Sequence, residues 1–422
     1  MTSRLSWRSD AFWALLDQVV VSACTFLVSL VVARLVSVEV FSAYGLSVTA
    51  TLFVSAMHRA WLTQPFSVLG VRETPDERLQ RFKAVLQLHV LAWPVVALFV
   101  VLVGWRYFPG AGFGLAVWAY ILSYLIQEAV RRFCFTTNQI RLAFAMDAVA
   151  YGGYLLGLLW MAWRGLGQIE LALSIGVLCF AVSALFGSLR CGASIWSGSW
   201  PSCAVLMQFA RGHWDHSKWV CASQVFMFGS IMLVPFQIAE FGSLVWVAHY
   251  NAANTIMNVL NILRQTMGNY LPIYASRLYH EQGFQQLNKA LNRMALAVLG
   301  ASALAMALLL LLSNWIVEVL YGVRYMPTAA VLPAASVGPL VAMLSFVSQA
   351  GGLALGKTEH IFYSYVAGTL CSLALAPVLI PQYGLMGAIW VANVGYIVPT
   401  VWHWITFKRD GRQMMASGGQ AA

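Results

Sequence analysis

Residues 12 to 33 read FWALLDQVVVSACTFLVSLVVA, an apolar run in which Asp17 is the one charged residue. A helix needs about 20 such residues to cross the hydrocarbon core of a bilayer. Comparable runs follow along the chain, which is 60% hydrophobic and 9% charged. A soluble protein has about 25% charged residues. The composition therefore predicts an all-α polytopic membrane protein with about twelve transmembrane helices and little room for a soluble domain.

Charge clusters and Pro/Gly breaks set the predicted helix boundaries. The predicted spans cover residues 12–33, 40–62, 84–104, 112–130, 141–163, 170–190, 219–239, 243–263, 290–313, 328–350, 360–380 and 385–406. The first run is a full span without a small-residue cleavage site, which predicts an uncleaved first helix.

Lysine and arginine are distributed very unevenly between the two sides of this predicted topology. With an even number of spans, nearly all of the 25 basic residues lie on the side of the N-terminus, and the exceptions are Arg34, Arg106, Arg164 and Arg324. The positive-inside rule then predicts that both termini are cytoplasmic. The net charge of +10 reflects this topology and attraction to anionic membrane lipids. Because the bases are scattered over short loops, nucleic acid is not a predicted partner.

The two halves of the chain repeat one another. A shift of 206 positions aligns residues 13–33 with residues 219–239, placing Trp13 on Trp219 and Gln18 on Gln224. Six helices separate equivalent positions, so the halves share one orientation and form a parallel repeat, as in several transporter folds. We predict an N-terminal six-helix bundle over residues 1–190, a cytoplasmic linker over 191–218, and a C-terminal six-helix bundle over 219–422.

Polar side chains recur at spacings of three and four in three predicted spans, which places each set on one helix face. The sets are Gln18, Ser22, Thr25 and Ser29; Tyr44, Ser47, Thr51, Ser55 and His58; and Asn251, Asn254, Asn258, Asn261 and Gln265. For the hydroxyl-rich sets, helix packing through small polar residues is an equal alternative. The amide set favours a water-filled cavity between the halves, because an unpaired amide is costly in hydrocarbon. Such a lining suits a hydroxyl-rich, anionic ligand.

Ionisable residues inside the predicted spans are candidates for function. Asp17 is interpreted either as a proton- or ion-coupling residue or as the structural partner of a base such as Arg59. Glu128 and Asp147 are interpreted as structural partners of nearby bases, and the candidates are Arg131, Arg132 and Arg141. Arg34 and His249, near the predicted outer ends, join Asp17 as coupling or gating candidates. The seven cysteines form no CxxC pair and have no ligand-spaced histidine, which predicts reduced packing residues and no metal site.

Several short motifs resemble bacterial polysaccharide (O-antigen/exopolysaccharide) repeat-unit flippases of the multidrug/oligosaccharidyl-lipid/polysaccharide exporter superfamily. The N-terminal motifs are Asp17-Gln18, Ala33-Arg34, and Phe41 with Tyr44. The C-terminal motifs are Tyr321-Gly322 with Tyr325, Ala354-Leu355-Gly356-Lys357, Tyr383-Gly384-Leu385 and Gly387-Ala388. Phe41-Ser42 departs from the family, in which Phe-Gly is common at this position.

The resemblance implies two six-helix bundles that move a polyprenyl-diphosphate-linked oligosaccharide across the bacterial inner membrane by alternating access, from the inner to the outer leaflet. The implied partners are this lipid-linked oligosaccharide, membrane lipids and other polysaccharide assembly proteins. No cofactor is expected, and coupling to H⁺ or Na⁺ stays open. The substrate-binding candidates are Arg59, Arg264, Gln18, Asn251, Asn254, Asn258, Asn261, Gln265 and Gln224. The two arginines occupy nearly equivalent positions and are expected to attract the diphosphate.

Two alternatives remain. A drug/cation antiporter of the same superfamily would need a carboxylate-rich, aromatic cavity, whereas the polar sets here are amides and hydroxyls with bases nearby. A polytopic polysaccharide polymerase or ligase would fit the helix count. The predicted outer loops are short and no nucleophile–base pairing is visible, so we predict a chain that is not an enzyme and has no catalytic residues.

Overall fold

The computed structural model describes residues 2–70, 73–191, 195–196, 198–258, 261–357 and 359–416. These residues form a succession of helices without a β-strand among them. Nine of the described helices are long and apolar enough to cross a membrane. The prediction of an all-α polytopic membrane protein is confirmed.

The chain divides into two compact units, Met1–Gln224 and Val225–Ala422. The helices that begin in the first unit are α1 (Thr2–Leu35), α2 (Val38–His58), α3 (Gln64–Gly70), α4 (Pro75–Tyr107), α5 (Ala111–Thr136), α6 (Ile140–Asp147), α7 (Gly153–Trp163), α8 (Ile169–Arg190) and α9 (Cys203–Met227). A π-helical turn, Arg59–Thr63, joins α2 to α3, and a second, Ala148–Gly152, joins α6 to α7. Each joined pair therefore forms one continuous span.

The second unit contains α10 (Val234–Phe241), α11 (Leu244–Met257), α12 (Asn261–Tyr321), α13 (Met326–Ala354) and α14 (Glu359–Ala416). Two glycines interrupt its long helices: Gly283 in α12 has φ 74° and Gly384 in α14 has φ 60°. Glycine adopts such positive φ values without a steric penalty. The turn at Gly384 lies between the predicted spans 360–380 and 385–406, so α14 contains two successive helical segments.

The predicted count of twelve spans is not confirmed by the described residues. These residues contain nine candidates, or ten when the segments Ser217–Met232 and Val234–Phe241, bent by 51°, are taken as one span. Within α14 the non-helical φ and ψ of Gly384 separate two helical segments, at the place where two successive spans are predicted. The predicted span 243–263 includes residues outside the described part of the chain.

The segment that leads into α9 packs against α4 within the first unit. The Lys83 ammonium donates to the Ser199 carbonyl at 3.3 Å, and Gln87 Nε2 donates to the Pro201 carbonyl at 3.2 Å. Both donors lie on α4, so the chain returns to this helix after α8. The predicted domain boundaries at 190/191 and 218/219 stay predictions.

Candidate functional site

Three helices of the N-terminal unit bring carboxylates to one buried place. Asp17 lies on α1, Glu128 on α5 and Asp147 at the end of α6. The Asp17 and Asp147 side chains are 3% and 1% exposed. Burial of ionised carboxylates is strongly unfavourable unless cations and hydrogen bonds compensate their charge. This place in the fold therefore requires a base.

Arg131 on α5 is that base. Its Nη2 lies 2.6 Å from Asp17 Oδ2, its Nε lies 2.5 Å from Asp147 Oδ2, and its Nη1 lies 3.3 Å from Glu128 Oε2. The planar guanidinium can contact several carboxylates at once because its donors point in fixed, diverging directions. Arg131 thus ties α1 and α6 to α5.

Neighbouring side chains complete this ion cluster, which we define as Asp17, Glu128, Arg131, Arg132 and Asp147. Arg132 Nε donates to Glu128 Oε1 at 2.8 Å. Gln127 Nε2 donates to Asp147 Oδ1 at 2.7 Å. The Arg131 guanidinium also lies 4.9 Å from the centre of the Phe135 ring, within the range of a cation–π contact. Asp17 Oδ1, in contrast, is buried and accepts no hydrogen bond from the described residues.

Both π-helical turns of the first unit lie beside this cluster. One begins at Arg59 and the other directly after Asp147. π-Helical turns are rare and occur frequently at functional sites. Arg59 itself is exposed and close enough to Glu128 for an electrostatic interaction. With Arg59 included, the formal charges of three carboxylates and three guanidinium groups balance.

A pair of buried histidines lies next to the Arg59 turn. The ring centroids of His58 on α2 and His89 on α4 are 5.2 Å apart, with the rings nearly perpendicular. Their exposures are 7% and 1%. All four ring nitrogens lack a hydrogen-bond partner among the described residues. His58 belongs to one of the predicted polar sets, whereas no sequence pattern indicated His89.

In the C-terminal unit the predicted amide face is only partly packed. Asn251 and Asn254 are half-buried and Asn258 is exposed, whereas Ala253 and Ile256 between them are buried. The amides of α11 therefore point away from the apolar packing of their own unit. Asn251 Nδ2 is nevertheless buried and has no hydrogen-bond partner within the described part of the chain.

The other predicted site residues are dispersed. Gln18 is half-buried and donates to Ser22 Oγ at 3.2 Å, Gln224 is half-buried, and Arg34 is exposed in the last turn of α1. His249 is buried, with Nδ1 3.0 Å from Thr328 Oγ1. The side chains of Asn261, Arg264 and Gln265 lie outside the described residues.

The polar set of the second predicted span lies in the interior of its unit. Tyr44, Ser47, Thr51 and Ser55 are all buried. Ser47 Oγ donates to the Tyr44 carbonyl at 2.7 Å and Thr51 Oγ1 to the Ser47 carbonyl at 2.8 Å. The Ser47 and Thr51 hydroxyls are satisfied by their own helix, as in packing residues, whereas Ser55 Oγ is buried and has no hydrogen-bond partner among the described residues.

The base that pairs with Asp17 is Arg131 rather than Arg59. Glu128 and Asp147 also contact Arg131, in agreement with their interpretation as partners of nearby bases, whereas Arg141 lies over the Trp13 ring instead. The sequence contained one usable signal, the three-residue spacing of Glu128 and Arg131 within an apolar span. It contained no signal that α1 and α6 meet at this arginine.

No protein-family model and no curated protein matches the chain. Solved structures match over nearly its whole length. An inward-facing multidrug resistance MATE family transporter of the MOP superfamily shares 14% identity, with coverage of 95% of this chain and 96% of that one and a TM-score of 0.75. The lipid II flippase MurJ, in an inward closed conformation, shares 13% identity, with coverage of 96% and 90% and a TM-score of 0.71.

A MOP superfamily transporter from Pyrococcus furiosus with a binding pocket of reversed polarity shares 13% identity, with coverage of 96% and 95% and a TM-score of 0.63. These three structures are of transporters and flippases, not of enzymes. At such identities the likeness shows the fold. The chain is a multi-pass membrane protein with the fold of MOP superfamily transporters.

Proposed function

We propose that this protein flips a polyprenyl-diphosphate-linked oligosaccharide from the inner to the outer leaflet of the bacterial inner membrane, as a step in surface polysaccharide biosynthesis. Both termini are cytoplasmic in this proposal, and transport proceeds by alternating access. The fold is compatible with flipping, because it is shared with the lipid II flippase MurJ. The same fold serves a multidrug resistance transporter, so the choice between lipid and drug depends on the side chains.

The observation that carries the proposal is the pairing of every buried carboxylate in the described residues. Four carboxylates are buried: Asp17, Glu128, Asp147 and Asp410. The first three contact Arg131 or Arg132, and the fourth contacts His360 and Arg409. A cationic drug would need an uncompensated carboxylate or an aromatic cage. A carboxylate that is already paired with a base does not supply this uncompensated negative charge.

The remaining polar surface favours an anionic, hydroxyl-rich ligand. Amide groups on α11 offer both donors and acceptors to sugar hydroxyls, and Asn254 and Asn258 are accessible in their own unit. The exposed guanidinium of Arg59 can bind phosphate oxygens in a bidentate manner. Arg264, the near-equivalent residue of the second half, is proposed to do the same.

Asp17 is the proposed coupling residue. Its Oδ2 is held by Arg131, while its Oδ1 is buried and has no hydrogen-bond partner among the described residues. Protonation of the Asp17 carboxylate, or binding of a small cation such as Na⁺ to it, would weaken its ion pair with Arg131. In this proposal binding at Asp17 loosens the link between α1 and α5.

A polysaccharide export assay tests the function in cells. The gene is deleted in its own host and replaced by plasmid-borne copies at matched protein abundance, and surface polysaccharide is measured together with the lipid-linked intermediate. We expect the deletion to lose surface polysaccharide while the intermediate accumulates in the membrane. Unchanged polysaccharide combined with new sensitivity to cationic drugs would instead support an antiporter.

A polymerase or ligase gives a third pattern in the same assay. Loss of either enzyme leaves the intermediate on the outer leaflet, where an added membrane-impermeant glycosidase can reach it. Loss of a flippase leaves it on the inner leaflet, protected from the glycosidase in intact cells. Glycosidase-sensitive intermediate in the deletion strain would contradict the proposal.

A further inference from the structure

Two cysteines from distant parts of the sequence meet at one end of the N-terminal unit. Cys134 lies in the last turn of α5 and Cys191 directly follows α8. Their sulfur atoms are 3.1 Å apart although 57 residues separate them in the chain. Both are free thiols. Sulfur atoms this close form a thiol–thiol hydrogen bond and need only a small side-chain movement to reach the roughly 2.05 Å of a disulfide bond.

The two thiols differ in access. Cys134 is fully buried, with the sulfur of Met146 3.8 Å from its own, whereas Cys191 is half-buried and lies outside the membrane-spanning helices. The hydrogen bond from the Cys134 thiol holds the pKa of Cys191 below its usual value. The thiolate is the reactive form of cysteine. Cys191 therefore has the features of an attacking thiol, and Cys134 those of the thiol that resolves the product.

We propose that Cys134 and Cys191 form a reversible redox pair that a hydroperoxide closes into a disulfide. The Cys191 thiolate attacks the terminal oxygen of the hydroperoxide, the O–O bond breaks, and the alkoxide or hydroxide takes up a proton and leaves. The resulting sulfenic acid on Cys191 is attacked by the Cys134 sulfur, whose proton goes to the departing hydroxyl group as water. Two thiols are thereby oxidised to one disulfide. One organic hydroperoxide is reduced to an alcohol and one water, or one hydrogen peroxide to two waters. A dithiol reverses the reaction by exchange.

The disulfide would join the end of α5 to the end of α8. Arg131 lies one turn before Cys134 on α5, and Met146, which contacts Cys134, directly precedes Asp147. Oxidation therefore tethers the helix that carries the centre of the ion cluster. Intracellular disulfides in most organisms are transient and often redox-sensing, which agrees with the predicted cytoplasmic side of this end. The chemistry of the pair does not depend on the proposed substrate.

Thiol counting on the full-length protein tests the pair. Protein in detergent micelles is reduced, freed of reductant, exposed to stoichiometric hydrogen peroxide, and labelled with a maleimide for intact mass and peptide mapping. We expect the wild type to lose two of its seven thiols and to yield a cross-linked peptide containing Cys134 and Cys191. Dithiothreitol should restore both. The control C179S removes a half-buried cysteine of the same α8 helix and should still form this cross-link.

The variants separate the two roles. C191S should keep its remaining thiols under the same treatment, and C134S should stop at a sulfenic acid on Cys191 that dimedone traps. If C134S does not fold, C191S still tests the proposal. The Cys191 side chain is half-buried rather than buried, so its replacement by serine should disturb the fold less. A wild type without the cross-link, a cross-link from Cys191 to Cys203 instead, or equal thiol loss in C191S would overturn the proposal.

Discussion

Arg131 neutralises two carboxylates that are almost entirely removed from solvent. Its guanidinium contacts Asp17 on α1 and Asp147 on α6, and Glu128 lies one turn before it on α5. Removal of one partner from a buried ion pair is far more damaging than removal of an exposed partner, because the remaining charge stays buried without compensation. The stability of the N-terminal unit should therefore depend on this side chain.

Arg131→Ala is expected to destabilise the protein by about 3–5 kcal/mol, the usual cost of leaving a buried partner unpaired. The matched control is Arg132→Ala, whose side chain is 33% exposed and contacts Glu128, and for which a loss of about 1 kcal/mol or less is expected. Thermal unfolding in detergent, followed by size-exclusion chromatography, compares the two. Equal shifts in the unfolding midpoint would contradict the assignment of Arg131 as the centre of the cluster.

Arg59→Ala is expected to reduce polysaccharide export by about one to two orders of magnitude without loss of membrane insertion. A charge-assisted contact to phosphate contributes roughly 1.5–3 kcal/mol. Arg59→Lys should retain part of the activity, because the charge survives while the bidentate geometry is lost. Arg264→Ala should behave like Arg59→Ala. Surface polysaccharide at matched protein abundance is the measurement.

The control for these variants is Arg164→Ala, which removes an exposed arginine from the end of α7 and should leave export unchanged. In Arg59→Ala, a lysine at the exposed position Gln64, just over one turn further along the same span, should not restore export if Arg59 contacts the substrate. Full rescue by that lysine would mean that Arg59 only orients the protein in the membrane.

Single residues were predictable where their chemistry contrasted with the surrounding sequence. Asp17 was recognisable as an acid within an apolar run. Its partner was not, because Arg131 lies 114 residues away and helical periodicity reports only neighbours on the same helix. The meeting of Cys134 and Cys191 was hidden for the same reason.

At the scale of helices, polar periodicity predicted which side chains share a helix face. It did not predict whether that face is buried in protein or accessible. The hydroxyl set of α2 and the amide set of α11 have the same three- and four-residue spacing. In the structure the first set is buried, with Ser47 and Thr51 donating to carbonyls of their own helix, while Asn251, Asn254 and Asn258 of the second set are half-buried or exposed. Serine and threonine can donate to the carbonyl three or four residues earlier, whereas an asparagine amide has two N–H donors and an acceptor oxygen to satisfy.

Cysteine accessibility tests the amide face of α11. Asn254→Cys and Asn258→Cys, each in a cysteine-free background, should react with a polar, membrane-impermeant thiol reagent, because an aqueous path would expose these positions. Ala253→Cys and Ile256→Cys are the controls, since both native side chains are buried, and they should stay protected. Equal labelling of all four, or labelling of none, would show that the amides are enclosed by protein or lipid.

For the whole molecule, length and composition were sufficient to predict the helical membrane fold, because few alternatives can bury so many apolar residues. The number of spans was less predictable. Gly384 separates two helical segments of α14 with non-helical φ and ψ, which agrees with the predicted boundary between residues 380 and 385. The described residues contain nine candidate spans, and local composition does not fix where each helix begins and ends.

Sidedness is the next prediction at this scale. Reporter fusions after Arg81, Arg132, Arg211 and Lys357 should report the cytoplasm, and fusions after Arg106, Arg164, Glu240 and Arg324 the opposite side. The expectation rests on the concentration of basic residues on one side of the predicted topology. Reversal of any two fusions would overturn the predicted topology.

Leaflet exchange of a lipid-linked glycan in reconstituted vesicles tests the proposed transport most directly. Purified protein is inserted into vesicles that carry a fluorescent polyprenyl-diphosphate disaccharide, and a membrane-impermeant quencher reports the fraction in the outer leaflet over time. We predict that the wild type makes the whole lipid pool accessible, that Arg59→Ala slows the exchange about 10- to 100-fold, and that a cationic dye trapped in the same vesicles is retained. Export of the dye without exchange of the glycan lipid would contradict a flippase and identify a drug/cation antiporter.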